Sequence, residues 1–163
     1  MSQHELTKSN KSDARISLEN YMGNPDRNVK YSTNQDLLDY LDTDHALDIE
    51  VWSDKVGLMY ATYNFYKNCS LKMGDLYNLN RHKLFTYGDF FTAKIDSICE
   101  KVYTTGVTSF NVTPVFDLME NSDTKKVRRL EIKAISPFYA LSLDTPPIQH
   151  FIAHIFAVKY HTN

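Results

Sequence analysis

LFTYGDFFTAKIDSICEKVYTTG, residues 84–106, is the stretch that decides the fold, because its period, its start and its end all predict one amphipathic helix. Its apolar side chains recur at steps of four, three and four, which places them on one stripe of a helix: Phe91, Ile95, Ile98 and Val102. Thr86 followed by Asp89 resembles a capping box, and Gly106 is a typical stop. We therefore expect a helix over about residues 88–105 that packs its stripe on a sheet.

The segments before this helix predict a hairpin. Residues 47–51 alternate between apolar and acidic side chains, which indicates a strand with one face in solvent. Residues 58–67, LMYATYNFYK, carry aromatic side chains on both faces of a second predicted strand. A turn over residues 53–57 joins the two, and a short helix around Leu37, Leu38 and Leu41 precedes them.

The segments after the helix also predict extended structure. Residues 127–135 alternate, with Leu130, Ile132 and Ala134 inward, and Pro137 is expected to break this strand. Residues 148–160 are apolar on both faces and rich in β-branched and aromatic side chains, so a central strand is preferred, although periodicity does not exclude a helix. The predicted fold is α+β: a single domain with one twisted antiparallel sheet and one main amphipathic helix packed on it.

The chain length and composition point to one domain preceded by an arm. With 163 residues, the chain can bury a core without disulfide staples. Residues 1–30 are polar and contain turn-forming residues, so we expect a flexible arm there and a globular α+β domain over residues 31–163. No apolar run is long enough for a signal peptide or a membrane span.

The small net charge hides an uneven distribution. Residues 1–30 carry five Lys or Arg against four Asp or Glu, residues 31–54 carry none against seven, and residues 55–163 carry thirteen against nine. Acidic and basic faces on one small protein suggest head-to-tail contact between copies, or a basic face turned toward a polyanion. An ordinary solvated surface is the alternative that the sequence leaves open.

Catalytic and metal-binding patterns are missing from the sequence. His150 and His154 have the spacing of two zinc ligands on a helix, but no carboxylate or cysteine stands nearby as a third ligand. Cys99 borders the apolar stripe of the predicted helix, where a buried structural thiol is expected. No nucleotide-binding or hydrolase motif is present. We therefore expect neither an enzyme nor a cofactor.

The strongest candidate for a functional contact is a basic run within residues 125–129. Four cations would attract anionic lipid headgroups or the phosphates of a nucleic acid: Lys125, Lys126, Arg128 and Arg129. Aromatic side chains that could stack on bases are absent from this run, which favours electrostatic contact with a membrane or a phosphate backbone over sequence-specific RNA binding. A charged strand end without function is an equal alternative.

Over residues 57–160, the order of the elements resembles the matrix protein of rhabdoviruses, and most closely the small matrix proteins of plant-infecting members. The residues that carry the resemblance are a short basic turn, Asn80-Arg81, and the helix start Thr86-Tyr87-Gly88-Asp89. The resemblance implies a structural protein that self-associates, condenses the viral nucleocapsid and links it to an anionic membrane surface bearing the viral glycoprotein. Such a protein would be found in the virion and in the host cytoplasm, peripheral at membranes.

In that family a flexible arm docks on a neighbouring copy. The resemblance thus implies a self-association arm that includes Lys8, Lys11, Arg15, Ile16 and Leu18. A viral host-interaction module, such as an RNA-binding silencing suppressor, is the alternative function.

Overall fold

The computed structural model describes residues 10–23, 28–55, 57–79, 81–86, 88–149 and 151–161. An antiparallel sheet of eight strands forms its centre, with β3-β2-β8-β7-β6-β4 as the main path and with β1 and β5 also paired to β7. The strands are β1 Val29–Ser32, β2 Asp48–Ser53, β3 Gly57–Ala61, β4 Phe85–Thr86, β5 Ser109–Phe110, β6 Phe116–Glu120, β7 Val127–Ser142 and β8 Ala153–Tyr160. The helices are α1 Asp13–Met22, α2 Gln35–Leu41, α3 Tyr63–Lys67, α4 Met73–Leu76, α5 Arg81–Leu84 and α6 Asp89–Thr105.

Strand β8 lies in the middle of the sheet between β2 and β7. Its side chains alternate between two separate apolar clusters: Ile155 and Ala157 belong to one, and Phe156 and Val158 to the other. A strand covered on both faces needs apolar side chains at every position, which explains why residues 153–160 lack a polar face. The preference for a central strand is confirmed.

The main helix is confirmed where the sequence predicts it. Ile95 and Val102 are buried, and Phe91 and Ile98 pack against the same cluster. Gly106 ends the helix in the left-handed conformation, at φ 72°. The predicted start is wrong in detail, because Gly88 is the N-cap residue and the Thr86 hydroxyl instead donates to Asn121 Oδ1 at 2.6 Å.

A bulge in β7 determines which face each of its side chains occupies. The register shifts between Ile132 and Ala134. Leu130 and Ile132 therefore face the cluster that contains α6, whereas Ala134 faces the opposite cluster. The sequence placed all three on one face, which is wrong for Ala134, because one extra residue in a strand reverses the alternation that follows it.

Three further predictions about strands are wrong. Strand β2 is buried on both faces rather than half in solvent. Residues 63–67 form α3 instead of continuing the second strand. Strand β7 runs through Pro137, which lies between the residues that pair with β5 and those that pair with β1, where the missing N–H is tolerated.

The largest correction concerns the predicted arm over residues 1–30. Residues 1–9 and 24–27 lie outside the described part of the chain, but residues 13–22 form α1, and Leu18 is completely buried. The Ser12 hydroxyl caps this helix by accepting from the Arg15 N–H at 3.1 Å. Helix α1 thus packs with α2 on the face of the sheet opposite α6, and the globular domain begins before residue 31.

Replacement of Leu18 by alanine tests whether α1 is part of the core. We expect Leu18→Ala to lower the free energy of unfolding by about 2–5 kcal/mol, since it leaves a cavity in a packed cluster. Ile16→Ala, at a side chain that is 42% exposed in the same helix, is the control, with an expected cost below about 1 kcal/mol. Urea denaturation measures both, and equal small losses would contradict a docked α1.

Candidate functional site

The basic run lies at the turn of the hairpin formed by β6 and β7. Lys125 and Lys126 belong to the turn, which returns the chain through a positive φ of 47° at Lys125. Arg129 points outward from β7 and forms an exposed ion pair with Asp117 at 3.5 Å. The structure therefore brings three of the four predicted cations to one exposed end of the sheet.

Arg128 is different, because its side chain is only 1% exposed. It donates to the carbonyl oxygens of Asn68 and Phe65, each at 2.8 Å, and lies 3.7 Å from the buried carboxylate of Glu120. Its guanidinium also lies over the ring of Phe65, 4.3 Å from the centroid. The prediction that Arg128 contacts an anionic surface directly is corrected, because alternation in β7 turns this side chain inward.

Glu120 completes this buried polar cluster. Its two carboxylate oxygens accept from the Ser70 backbone N–H at 3.1 and 3.3 Å, and one of them also accepts from the Ser70 hydroxyl. The pair of Glu120 and Arg128 thereby fastens the β6–β7 hairpin to the segment that follows α3. The basic end of the sheet is held rigidly, because both charges keep hydrogen-bond partners where water is excluded.

Removal of Arg128 tests the role of this cluster. We expect Arg128→Met to lower the free energy of unfolding by about 3–5 kcal/mol, because Glu120 would be left as an uncompensated buried charge. Adding Glu120→Gln to that variant should restore part of the loss. The control is Arg129→Met, which removes an exposed pair worth less than about 1 kcal/mol. Equal losses for the two arginine variants in chemical denaturation would contradict this account.

A groove of about 400 Å³ opens beside the hairpin, and we call it the basic groove. It combines cationic, amide and aromatic side chains from α3, β7 and the end of β8: Asn64, Lys67, Asn68, Val127, Arg128, Arg129, Tyr160 and His161. Tyr160 donates to the buried Glu50 at 3.0 Å, and burial raises the pKa of this tyrosine. His161 Nε2 lies 2.9 Å from a carboxylate oxygen of Glu131.

Two neighbours of the basic run, Lys67 and His161, were not predicted from the sequence. They lie about 60 and 30 residues away along the chain. His161 meets the run through the pairing of β7 with β8, and Lys67 through the hydrogen bonds of Arg128 to the carbonyl oxygens of Phe65 and Asn68. Glu120 and Glu50 were missed as buried acids as well. Trp52, two residues after Glu50, was a usable signal, since its indole N–H donates to Glu50 at 2.9 Å.

A second cavity, of about 240 Å³, lies between α6 and the sheet. Its walls include Arg81, Asp96, Cys99 and His154. Arg81 is one of the residues that carry the family resemblance; it forms an ion pair with Asp96 at 3.4 Å and lies over the ring of Phe156. These contacts assign Arg81 to the packing of the segment that leads into α6.

The thiol and the imidazole in this cavity are not arranged as a nucleophile and a base. Burial raises the pKa of the Cys99 thiol, which keeps it protonated near neutral pH. His154 Nε2 lies 2.8 Å from the Cys99 carbonyl oxygen, to which it can donate as a neutral ring. The prediction of a buried structural thiol at Cys99 is confirmed.

His154 should make stability depend on pH. Burial holds the pKa of His154 below its ordinary value of 6.5, so below that pH the unfolded chain binds a proton that the folded chain resists. The free energy of unfolding should therefore fall as the pH drops below about 6.5. We expect His154→Gln to show a smaller fall in denaturant titrations between neutral and mildly acidic pH. Parallel curves for the two proteins would contradict this assignment.

The predicted arm residues are engaged within their own chain or lie outside the described range. Lys8 is not among the described residues. Arg15 contacts Asp42 at 2.5 Å and Asp39 at 3.3 Å, and Lys11 lies 3.5 Å from Glu19. Leu18 is buried, which leaves Ile16 as the exposed apolar side chain of this set. The assignment of Arg15 and Leu18 to contact with a neighbouring copy is therefore corrected.

Comparison with models of known protein families finds no match to the chain, and comparison with curated proteins finds none either. Among the described residues, no cluster of His, Cys, Asp and Glu has the makeup of a metal site. His150 lies outside that part of the chain. None of the described helices is long and apolar enough to cross a membrane.

Proposed function

We propose that the chain is a viral matrix-type structural protein, without catalytic activity, that self-associates and joins a polyanionic nucleocapsid to a membrane. The observation that carries the proposal is the exposed hairpin end, where Lys125, Lys126 and Arg129 project from a rigid buried anchor. Cations held by a fixed scaffold are suited to repeated contact with a regular anionic surface. The proposal also draws on the resemblance in element order to rhabdovirus matrix proteins.

Self-association is supported by complementary charge on two parts of one molecule. Asp36 and Asp39 are exposed on α2, and the basic hairpin end offers the opposite charge. The outward face of the hairpin adds an apolar pair, Met119 and Val127, which lie opposite each other in the register of β6 and β7 and are both exposed. An apolar centre flanked by charges is typical of a protein contact surface.

Sedimentation velocity at rising protein concentration tests the proposal. We expect the weight-average sedimentation coefficient to rise with concentration at low salt and to rise less at about 1 M salt, where charges are screened beyond about 3 Å. Lys125→Glu combined with Lys126→Glu should weaken the association. Lys30→Glu combined with Lys101→Glu, at exposed positions on β1 and α6, is a charge control of the same size away from the hairpin.

A truncated chain tests whether residues 1–9 or the rest of the protein is responsible for self-association. A chain that lacks residues 1–9 keeps α1 and its contacts, so any loss of association belongs to those nine residues and not to damage of the core. A chain that stays monomeric at every concentration and salt condition, with or without residues 1–9, would overturn the proposal. In that case an RNA-binding host-interaction module is the function to test next.

A further inference from the structure

We propose that the basic groove binds the phosphodiester backbone of single-stranded RNA. This inference rests on the proposed function, because it names the polyanion that the basic end of the protein contacts. Three properties of the groove support this inference: the availability of its cations, its shape and its aromatic lining.

The cations around the groove are available to an incoming phosphate. Among the described residues, Lys67, Lys125 and Lys126 make no ion pair with a carboxylate. The pair of Arg129 with Asp117 is 46% and 58% exposed, so a phosphate can replace Asp117 at low cost. Lys67 and Arg129 stand on opposite elements, α3 and β7, and both line the groove.

Arg128 also lines the same groove, as part of its buried ion pair with Glu120. It is a lining residue, and its Nη1 atom is buried with no hydrogen-bond partner among the described residues. Its Nε and Nη2 atoms donate to the carbonyl oxygens of Asn68 and Phe65. Glu120 at 3.7 Å is its one carboxylate partner among these residues. The groove thus has a fixed polar floor, with the exposed cations Lys67 and Arg129 at its rim.

The shape of the groove favours a chain over a lipid surface. Its volume of about 400 Å³ lies in the ~300–1,000 Å³ range of sites that enclose small ligands, which suits one nucleotide unit at a time. A planar membrane surface would touch the rim but not residues within a concave groove. The amides of Asn64 and Asn68 line the walls, where polar groups can contact phosphate and sugar oxygens.

The structure also supplies the aromatic side chain that the basic run lacks in sequence. Tyr160 is half-buried and lines the groove, whereas Tyr63 lines a separate cavity with Asp13 and Asp48. Grooves for single-stranded nucleic acid combine a cationic track with exposed aromatic rings on which bases stack without regard to sequence. We therefore expect binding that is sequence-tolerant and strongly dependent on salt.

Fluorescence anisotropy with a labelled 12-nucleotide RNA of mixed sequence tests the inference on the full chain. For Lys67→Glu combined with Arg129→Glu, we expect at least tenfold weaker binding. The slope of log affinity against log salt should become shallower by about 1.4, because each lost phosphate contact contributes about 0.7 for single strands. Tyr160→Leu should weaken binding by about tenfold and leave that slope unchanged, since stacking releases no counterions.

The matched control is Lys30→Glu combined with Lys101→Glu, which changes the net charge by the same amount at exposed positions on β1 and α6. Its affinity should stay within about threefold of wild type, because distant surface charges are screened. Circular dichroism melting shows that each variant is folded. Equal weakening by the two double variants would overturn the groove as the site.

An experiment with lipid vesicles distinguishes RNA from a membrane as the ligand of the groove. Flotation with vesicles that contain phosphatidylserine is run on the same variants. Absence of RNA binding by a wild-type chain that self-associates would overturn this inference and leave the proposed function standing. Vesicle binding that is lost with Lys67→Glu and Arg129→Glu, in the absence of RNA binding, would assign the groove to lipid headgroups instead.

Discussion

The structure depends on burial of the central strands on both faces. Strands β2, β8 and β7 place successive side chains in two separate apolar clusters, one closed by α6 and the other by α1 and α2. A single helix could cover only one of these faces, and the other would expose a large apolar surface. The docking of α1 and the alternation of β8 are therefore two consequences of the same constraint.

Burial on both faces makes partners necessary for most of the polar side chains in the central strands. Asp48 accepts from Thr62 and Asn64, Glu50 accepts from Trp52 and Tyr160, and Arg128 is held by two carbonyl oxygens. These contacts join α3 to the sheet at the end that carries the basic hairpin. Buried polar groups thus make the basic end of the molecule rigid, because each one fixes the position of a neighbouring element.

The packing of the strands and α3 determines which charged side chains are buried and which are exposed. The four cations within residues 125–129 become one structural arginine, a half-buried Lys126 and two exposed residues, and a lysine from α3 joins the exposed group. The acidic residues are divided in the same way, since Asp48 and Glu50 are buried while Asp36 and Asp39 are exposed. Counts of charge along the chain therefore overstate the number of exposed charges of each sign. Cationic and aromatic side chains meet in the groove between α3 and β7.

The sequence by itself determined the α+β class, the position and end of α6, the strand at residues 153–160 and the structural nature of Cys99, because local periodicity and a glycine stop carry that information. Helix α1 had a weaker signal, with Ala14, Leu18 and Tyr21 at helical spacing after the capping residue Ser12, which the polar composition around it obscured. Only the tertiary structure decided the burial of β2 on both faces, the change of face at the β7 bulge and the inward turn of Arg128. Each of these depends on contact with an element that is distant in sequence, and such a contact leaves no local pattern in the sequence.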